Sequence, residues 1–306
     1  MREYREFTMK RIVVATDFSD ASYGAVNYAK QLARYFSAKV LLVHVIDMMR
    51  SVQENGLPGM SPPERIDAAE EELQKVAEGL SFDGVRCAMT VRVGTIREVI
   101  SNLIEERDAD LLVIGTRGKG FKNGEGLGSV AEMLLRAVSC PVLTVARQVR
   151  QDACEATHPR SVLFPTEFSE TSRAALAYTE CLARHIGGRL LLLHVDENNF
   201  SAGQVSNHKN DFQKLVAKMM DPSVVSEYIT RAGHAADLIV TVSKEKHVDF
   251  IVMGVHGMKQ TDSARGYGTA FDVIRLARCP VFTLFAHDSK EADGSTFQSS
   301  LATHNC

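Results

Sequence analysis

Short apolar runs alternate along this chain with longer stretches whose apolar residues recur at helical spacing. Arg11–Ala15 reads as a strand, followed by a helix to about Tyr35 with Asp17, Ser19 and Asp20 as candidate N-caps. Lys39–Val45 reads as a second strand, and Pro62-Pro63 opens a long charged helix to about Leu80. Arg86–Val93 alternates as a third strand, and Ile96–Glu106 has helical spacing. Leu111–Ile114 is a fourth strand, Val130–Val138 a helix and Val142–Val145 the last strand. This order predicts an α/β fold: a mostly parallel five-stranded sheet with helices on both faces, Rossmann-like in plan. Ligands of such sheets sit beyond the carboxyl ends of the strands, at the switch point. Asp17 follows the first strand, Val45 ends the second and Gly115 follows the fourth, so three signals converge on one edge.

The pattern occurs twice. Residues 16–45 match residues 166–195 at an offset of 150, with 13 of 30 positions identical. Further on, the offset is 139. Gly94 matches Gly233, Asp110 matches Asp249, Gly115 matches Gly254, and Cys140-Pro141-Val142 matches Cys279-Pro280-Val281. The second copy therefore lacks 11 residues between Val195 and Gly233. A unit of this size is a domain rather than a solenoid repeat. The expected organisation is one domain over 1–147, a second over 159–287 and a polar tail over 288–306, with Gln148 to His158 as linker.

Gly115-Thr116-Arg117-Gly118, nine further residues and Gly128-Ser129 join the fourth strand to the next helix, with six glycines between 115 and 128. Glycine permits positive φ and close approach of a ligand to the backbone. Helix-start N–H groups and the helix dipole favour an anion. Arg117, Lys119 and Lys122 add positive charge, so phosphate is the group this loop suits best; a plain connecting loop is the competing reading. The Walker and GxGxxG patterns are both absent, which excludes those two kinds of nucleotide site.

Net charge is −3 with both signs mixed, which gives no reason to expect nucleic acid. No apolar run reaches the roughly 18 residues of a membrane span, and the first residues are charged, so a cytoplasmic location is expected. Cys87, Cys140, Cys154, Cys181, Cys279 and Cys306 form no CxxC pair and no cluster with histidine, so no metal site is expected. Cys140 and Cys279 each precede Pro-Val and an apolar strand, as buried, inert thiols do.

Thr16-Asp17-Phe18-Ser19, Leu42-Val43-His44-Val45 and the glycine loop before a helix ending in Cys140-Pro141-Val142 together resemble the universal stress protein family, in a tandem form. The resemblance covers about residues 10–146 and 160–286. It implies a Rossmann-like domain that in one branch of the family binds ATP. There the acidic residue after the first strand meets the nucleoside, the end of the second strand meets adenine through its backbone, and the glycine loop holds the phosphates. Carried onto matching positions, the candidates are Asp17, Val45, Gly115, Gly118, Gly128 and Ser129, with Arg117 in the loop and Val130 at the helix start. The resemblance also implies pairing of the last strands, Pro141–Val145 and Pro280–Leu284, within one chain or between two chains in a homodimer.

A carboxylate suits ribose hydroxyls because it accepts several hydrogen bonds. Asp17 and Ser129 could each instead serve only as a helix cap. His44 and His194 read as satisfied residues within strands. In the second copy Glu167 replaces the aspartate. Aligned backward from Cys279, Tyr267 stands at the last motif glycine; aligned forward, Gly268-Thr269 falls one residue late. That copy reads as degenerate for ATP. The expected function is an ATP-binding stress-response or signalling protein with ATP, with or without Mg²⁺, as a ligand. The alternatives are an interaction scaffold without nucleotide and a slow ATPase. Glu125 is the only acid between Gly115 and Ser129, so no catalytic residue is assigned.

Overall fold

A computed structural model of the chain describes residues 9–47, 61–118, 126–147, 149, 160–197, 208–219, 221–256 and 268–286. Most of the linker, the tail, Lys119, Lys122, Glu125, Cys154, Tyr267 and Cys306 lie outside these residues. The described residues fall into two compact units, one within 9–156 and one within 157–306.

In the first unit the strands are β1 (Arg11–Ala15), β2 (Lys39–Ile46), β3 (Arg86–Val93), β4 (Leu111–Gly115) and β5 (Val142–Val145). The helices are α1 (Asp20–Phe36), α2 (Pro62–Phe82), α3 (Ile96–Arg107) and α4 (Ser129–Ala137). The strand order is β3-β2-β1-β4-β5, all parallel, so the chain winds outward from β1 and returns on its other side at β4. This is the doubly wound arrangement expected from the alternation of elements. The residues of inner strand β4 are buried almost throughout, while those of edge strand β3 are exposed or half-buried. A continuous apolar run therefore reads as an inner parallel strand, and alternation reads as an edge.

Helix starts follow local chemistry. Ser19, in extended backbone, caps α1 by accepting from Ser22 N–H at 3.3 Å. Pro62 and Pro63 occupy the first turn of α2, where the proline lacks no needed hydrogen bond, and Ser61 N–H donates to the Glu64 carboxylate at 2.6 Å. Tyr23 donates to Glu72 at 2.8 Å and ties α1 to α2; burial and that carboxylate push the Tyr23 phenol up to about 12.

In the second unit, β6 (Ser161–Pro165), α5 (Glu170–His185), β7 (Arg189–Asp196), α6 (Lys209–Val216), β8 (Val225–Ala232), α7 (Ala235–Glu245), β9 (Phe250–His256), α8 (Thr269–Leu276) and β10 (Val281–Ala286) follow the same plan. The strand order is β8-β7-β6-β9-β10, again parallel. The sequence deletion falls on α6, which has 8 residues against 21 in α2.

The matched aspartates explain one repeated position. Asp110 Oδ2 accepts from the N–H groups of Lys10 and Arg11 at 2.8 Å each. Asp249 Oδ2 accepts from those of Arg160 and Ser161 at 2.8 and 2.9 Å. Each carboxylate thus pins the start of the first strand of its unit. Asp110→Ala is expected to destabilise the protein by about 2 kcal/mol, because two N–H groups lose a charged acceptor. A urea midpoint unchanged from the parent would contradict this role.

Cysteine behaviour differs in part from expectation. Cys140 is buried as read, while Cys279 is half-buried as a residue. Burial nevertheless pushes both thiols up to about 12. Neither thiol is therefore expected to react with a thiol reagent at pH 8 until the protein is denatured; rapid labelling of the native protein would contradict their burial. Cys181 is buried on α5 and disulfide-bonded. The spacing of cysteines along the chain gave no sign of that bond. Among the described residues, no helix is long and apolar enough to cross a membrane.

Candidate functional site

The parallel register brings the predicted residues to one edge of the first unit. Ala15 lies beside Val43 on one side and Ile114 on the other. Asp17 and Val45, each two residues further along, and Gly115, one residue further, therefore all stand at the carboxyl ends, where β1 and β4 flank the switch point.

The turn after β1 is shaped by its own side chains. Thr16 Oγ1 accepts from Phe18 N–H at 3.0 Å, and Phe18 takes a left-handed conformation with φ 60°. A bulky residue rarely adopts that region, which costs about 1–3 kcal/mol. Part of the compensation is visible. The Phe18 ring stacks on His44 with centroids 4.6 Å apart, and His44 Nδ1 donates to the Thr16 carbonyl at 2.8 Å. The two motif segments, Thr-Asp-Phe-Ser and Leu-Val-His-Val, thus lock the tips of β1 and β2 together. The second unit repeats the device: Phe168 has φ 63°, its ring lies 4.6 Å from His194, and His194 Nδ1 meets the Thr166 carbonyl at 2.8 Å.

Asp17 is not the cap of α1; that position belongs to Ser19. Asp17 Oδ1 accepts from Ser19 N–H at 3.1 Å and from Ser19 Oγ at 2.6 Å. Its Oδ2 lies against Gly118, where a Cβ would collide with it. The carboxylate and the glycine loop are therefore in direct contact.

The glycines of the loop serve different purposes. A Cβ on Gly115 would lie 2.8–2.9 Å from the backbone of Ala21 and Ser22, so Gly115 lets β4 press against α1. Gly128 donates its N–H to the Thr116 carbonyl at 2.8 Å, and a Cβ there would lie 3.0 Å from the same oxygen. Gly128 has φ −65°, and neither it nor Gly118 stands at positive φ. Steric room, not left-handed backbone, is what these positions require. Arg117 Nε donates to the Gly126 carbonyl at 3.0 Å and clamps the two arms of the loop.

Gly128 is also the N-cap residue of α4, and Ser129 is its first helical residue. Ser129 is thus no side-chain cap, contrary to the capping alternative. Glycine brings no side chain to the first-turn N–H groups, which leaves the start of α4 suited to an external anion. Ser129 is exposed and Val130 half-buried there.

The second unit departs at several parts of this edge. Gly254 does not end its strand, because β9 continues through Val255 and His256, paired with Phe285 and Ala286. Gly268 is the N-cap residue of α8 and Thr269 its first helical residue, matching Gly128 and Ser129. The helix starts thus follow the forward alignment, while the C-cap residues Val138 and Ala277 keep the backward offset of 139, and Tyr267 lies outside the described residues. The stronger departure lies beside Phe168. His208 sits 5.9 Å from the Phe168 ring and 4.2 Å from His194, and Phe212 packs edge-on to Phe168 at 5.1 Å. His208 is flanked by Asp211 at 3.3 Å and Asp196 at 3.8 Å. With only eight residues in α6, the chain folds its own aromatic side chains over the Phe168–His194 pair. The missing 11 residues were a signal for this change, though not for the residues that fill the space.

Two doubly wound parallel domains in one chain, the first carrying a glycine loop against a carboxylate at its switch point, define a tandem α/β protein. The universal stress protein family profile matches residues 8–146 and 159–284, and the chain belongs to that family. Among its relatives, Universal stress protein MJ0531 of Methanocaldococcus jannaschii is 34% identical over 147 residues, covering 46% of this chain and 85% of that protein. Universal stress protein Slr1230 of Synechocystis is 21% identical over 299 residues, covering 90% of this chain and 99% of the relative. The crystal structure of a universal stress protein from Archaeoglobus fulgidus superposes with a TM-score of 0.70 at 21% identity, covering 91% of this chain and 99% of that one, and shares the fold.

Proposed function

We propose that the first unit holds ATP as a bound ligand and that the second binds it weakly or not at all. The observation that carries this reading is the contact between Asp17 Oδ2 and Gly118 at the switch point. It puts a carboxylate suited to ribose hydroxyls beside a loop suited to phosphates, with the second-strand end at Val45 level with it.

In this reading Asp17 accepts from the ribose, and the Val45 backbone meets adenine. Gly118 and Gly128 let the loop close against the Asp17 carboxylate and the Thr116 carbonyl, where a Cβ would collide, and their bare backbone lets the triphosphate approach. Ser129 and Val130 offer N–H groups at the positive end of α4. Gly115 seats the loop and Arg117 clamps it, so both act on its shape. Mg²⁺, where present, arrives on the triphosphate and offsets its charge. Membership of the family supports the reading.

Asp17→Ala is expected to weaken ATP binding by about 1–3 kcal/mol, the scale for losing hydrogen bonds to a charged group. Calorimetric titration measures it. Equal affinity in the variant would remove Asp17 from the site, and absence of binding in the parent would favour the scaffold alternative.

A further inference from the structure

Ser19 was read from sequence as a cap, yet its side chain reaches three parts of the candidate site. Its Oγ lies 2.6 Å from Asp17 Oδ1 and 3.3 Å from the Arg117 carbonyl, and it accepts from Ser22 N–H at 3.3 Å. One hydroxyl proton serves both oxygens, and the shorter contact to the carboxylate dominates. The Ser19 N–H also donates to the same Asp17 oxygen, at 3.1 Å. The carboxylate is thereby held from two sides of one residue, with Oδ2 turned toward Gly118. The carbonyl contact joins the β1–α1 turn to the glycine loop across 98 residues of sequence.

The second unit supplies an internal comparison. Ser169 holds the equivalent cap position and accepts from Ser172 N–H at 3.2 Å, as Ser19 does from Ser22. Its hydroxyl, however, turns to Ser172 Oγ at 3.2 Å. Glu167, with its longer side chain, is exposed at its own position. Capping is thus common to both units, and in the first the capping hydroxyl also reaches the acidic residue and the glycine loop.

We infer that Ser19 is a positioning residue for nucleotide binding: it aims the Asp17 carboxylate and fastens the glycine loop to the β1–α1 turn. This rests on the ATP reading of the first unit. The residue acts through Asp17 and the loop backbone rather than on the ligand itself.

The test separates aiming from capping. Glycine is nearly as good a cap as serine but has no hydroxyl, whereas threonine keeps the hydroxyl and suits the extended backbone at this position. Calorimetric titration of Mg²⁺–ATP into the full chain is expected to show Ser19→Gly binding about tenfold more weakly than the parent, with Ser19→Thr restoring most of the affinity. Melting without ligand should barely distinguish the variants. Placed on Asp17→Ala, Ser19→Gly should add far less than it costs alone, because its main partner is gone. Parent-like affinity in Ser19→Gly, or full additivity with Asp17→Ala, would overturn the positioning role while leaving ATP binding intact. Absence of ATP binding in the parent would instead overturn the underlying reading, and this role with it.

Discussion

Gly118→Val is expected to reduce ATP affinity by at least about 100-fold, equivalent to about 2.8 kcal/mol, in a protein that still folds. The Cβ it introduces meets the far end of the Asp17 side chain rather than backbone, so the fold can accommodate it by moving that side chain. The movement is what removes binding: the carboxylate leaves its place while the added branches fill the approach to the loop. Gly128→Val is a harsher change, because its Cβ meets the Thr116 carbonyl, which also receives the Gly128 N–H. Loss of binding there would mix steric exclusion with loop distortion. Circular dichroism and melting of Gly118→Val should match the parent. Parent-like affinity in that folded variant would reduce the loop to a connection.

The second large effect is stabilisation. A ligand bound only by the folded state adds about RT ln(1 + [L]/Kd), roughly 2.7 kcal/mol at a hundredfold excess over Kd. For a domain of this size that corresponds to a rise in melting temperature of about 5–10 °C. ATP should persist while it does so. The groups assigned to the phosphates are the backbone N–H groups at the start of α4, with Arg117 shaping the loop beside them. These bind a triphosphate, but none is a base placed to orient water for attack on it, and hydrolytic enzymes gain much of their rate from such placement. Turnover well below the enzyme median of about 10 per second is therefore expected. Consumption of several ATP per second, lost on changing Asp17 or Ser129, would move the protein into the enzyme class.

Much of the scaffold was legible because its causes are local. β1, β3 and β5 run as their apolar patterns predict, and the glycine loop does lie between a buried strand and a helix start. The elements that run longer than expected, such as β2 to Ile46 and α2 to Phe82, extend where neighbouring backbone continues the ladder or the turn, which pattern alone does not register. What stayed hidden arises from contacts between distant segments. The left-handed Phe18 is compensated by His44, 26 positions away, so nothing adjacent to it announces the conformation. Glycines that look alike in sequence divide by what lies opposite them: α1 for Gly115, a carboxylate for Gly118, a carbonyl for Gly128. In the second unit the helix after β9 starts at Thr269, one residue later than the offset of 139 that its end keeps, a shortening that residue counting alone does not show. The two units differ at Glu167, at the extended β9 and at His208 and Phe212, which cover Phe168.

Calorimetric titration of Mg²⁺–ATP into the full chain tests the central claim most directly. The account predicts one saturable site per chain, retained when Glu167 is changed to alanine and lost in Gly118→Val. Two equal sites, or no saturable binding at all, would contradict it.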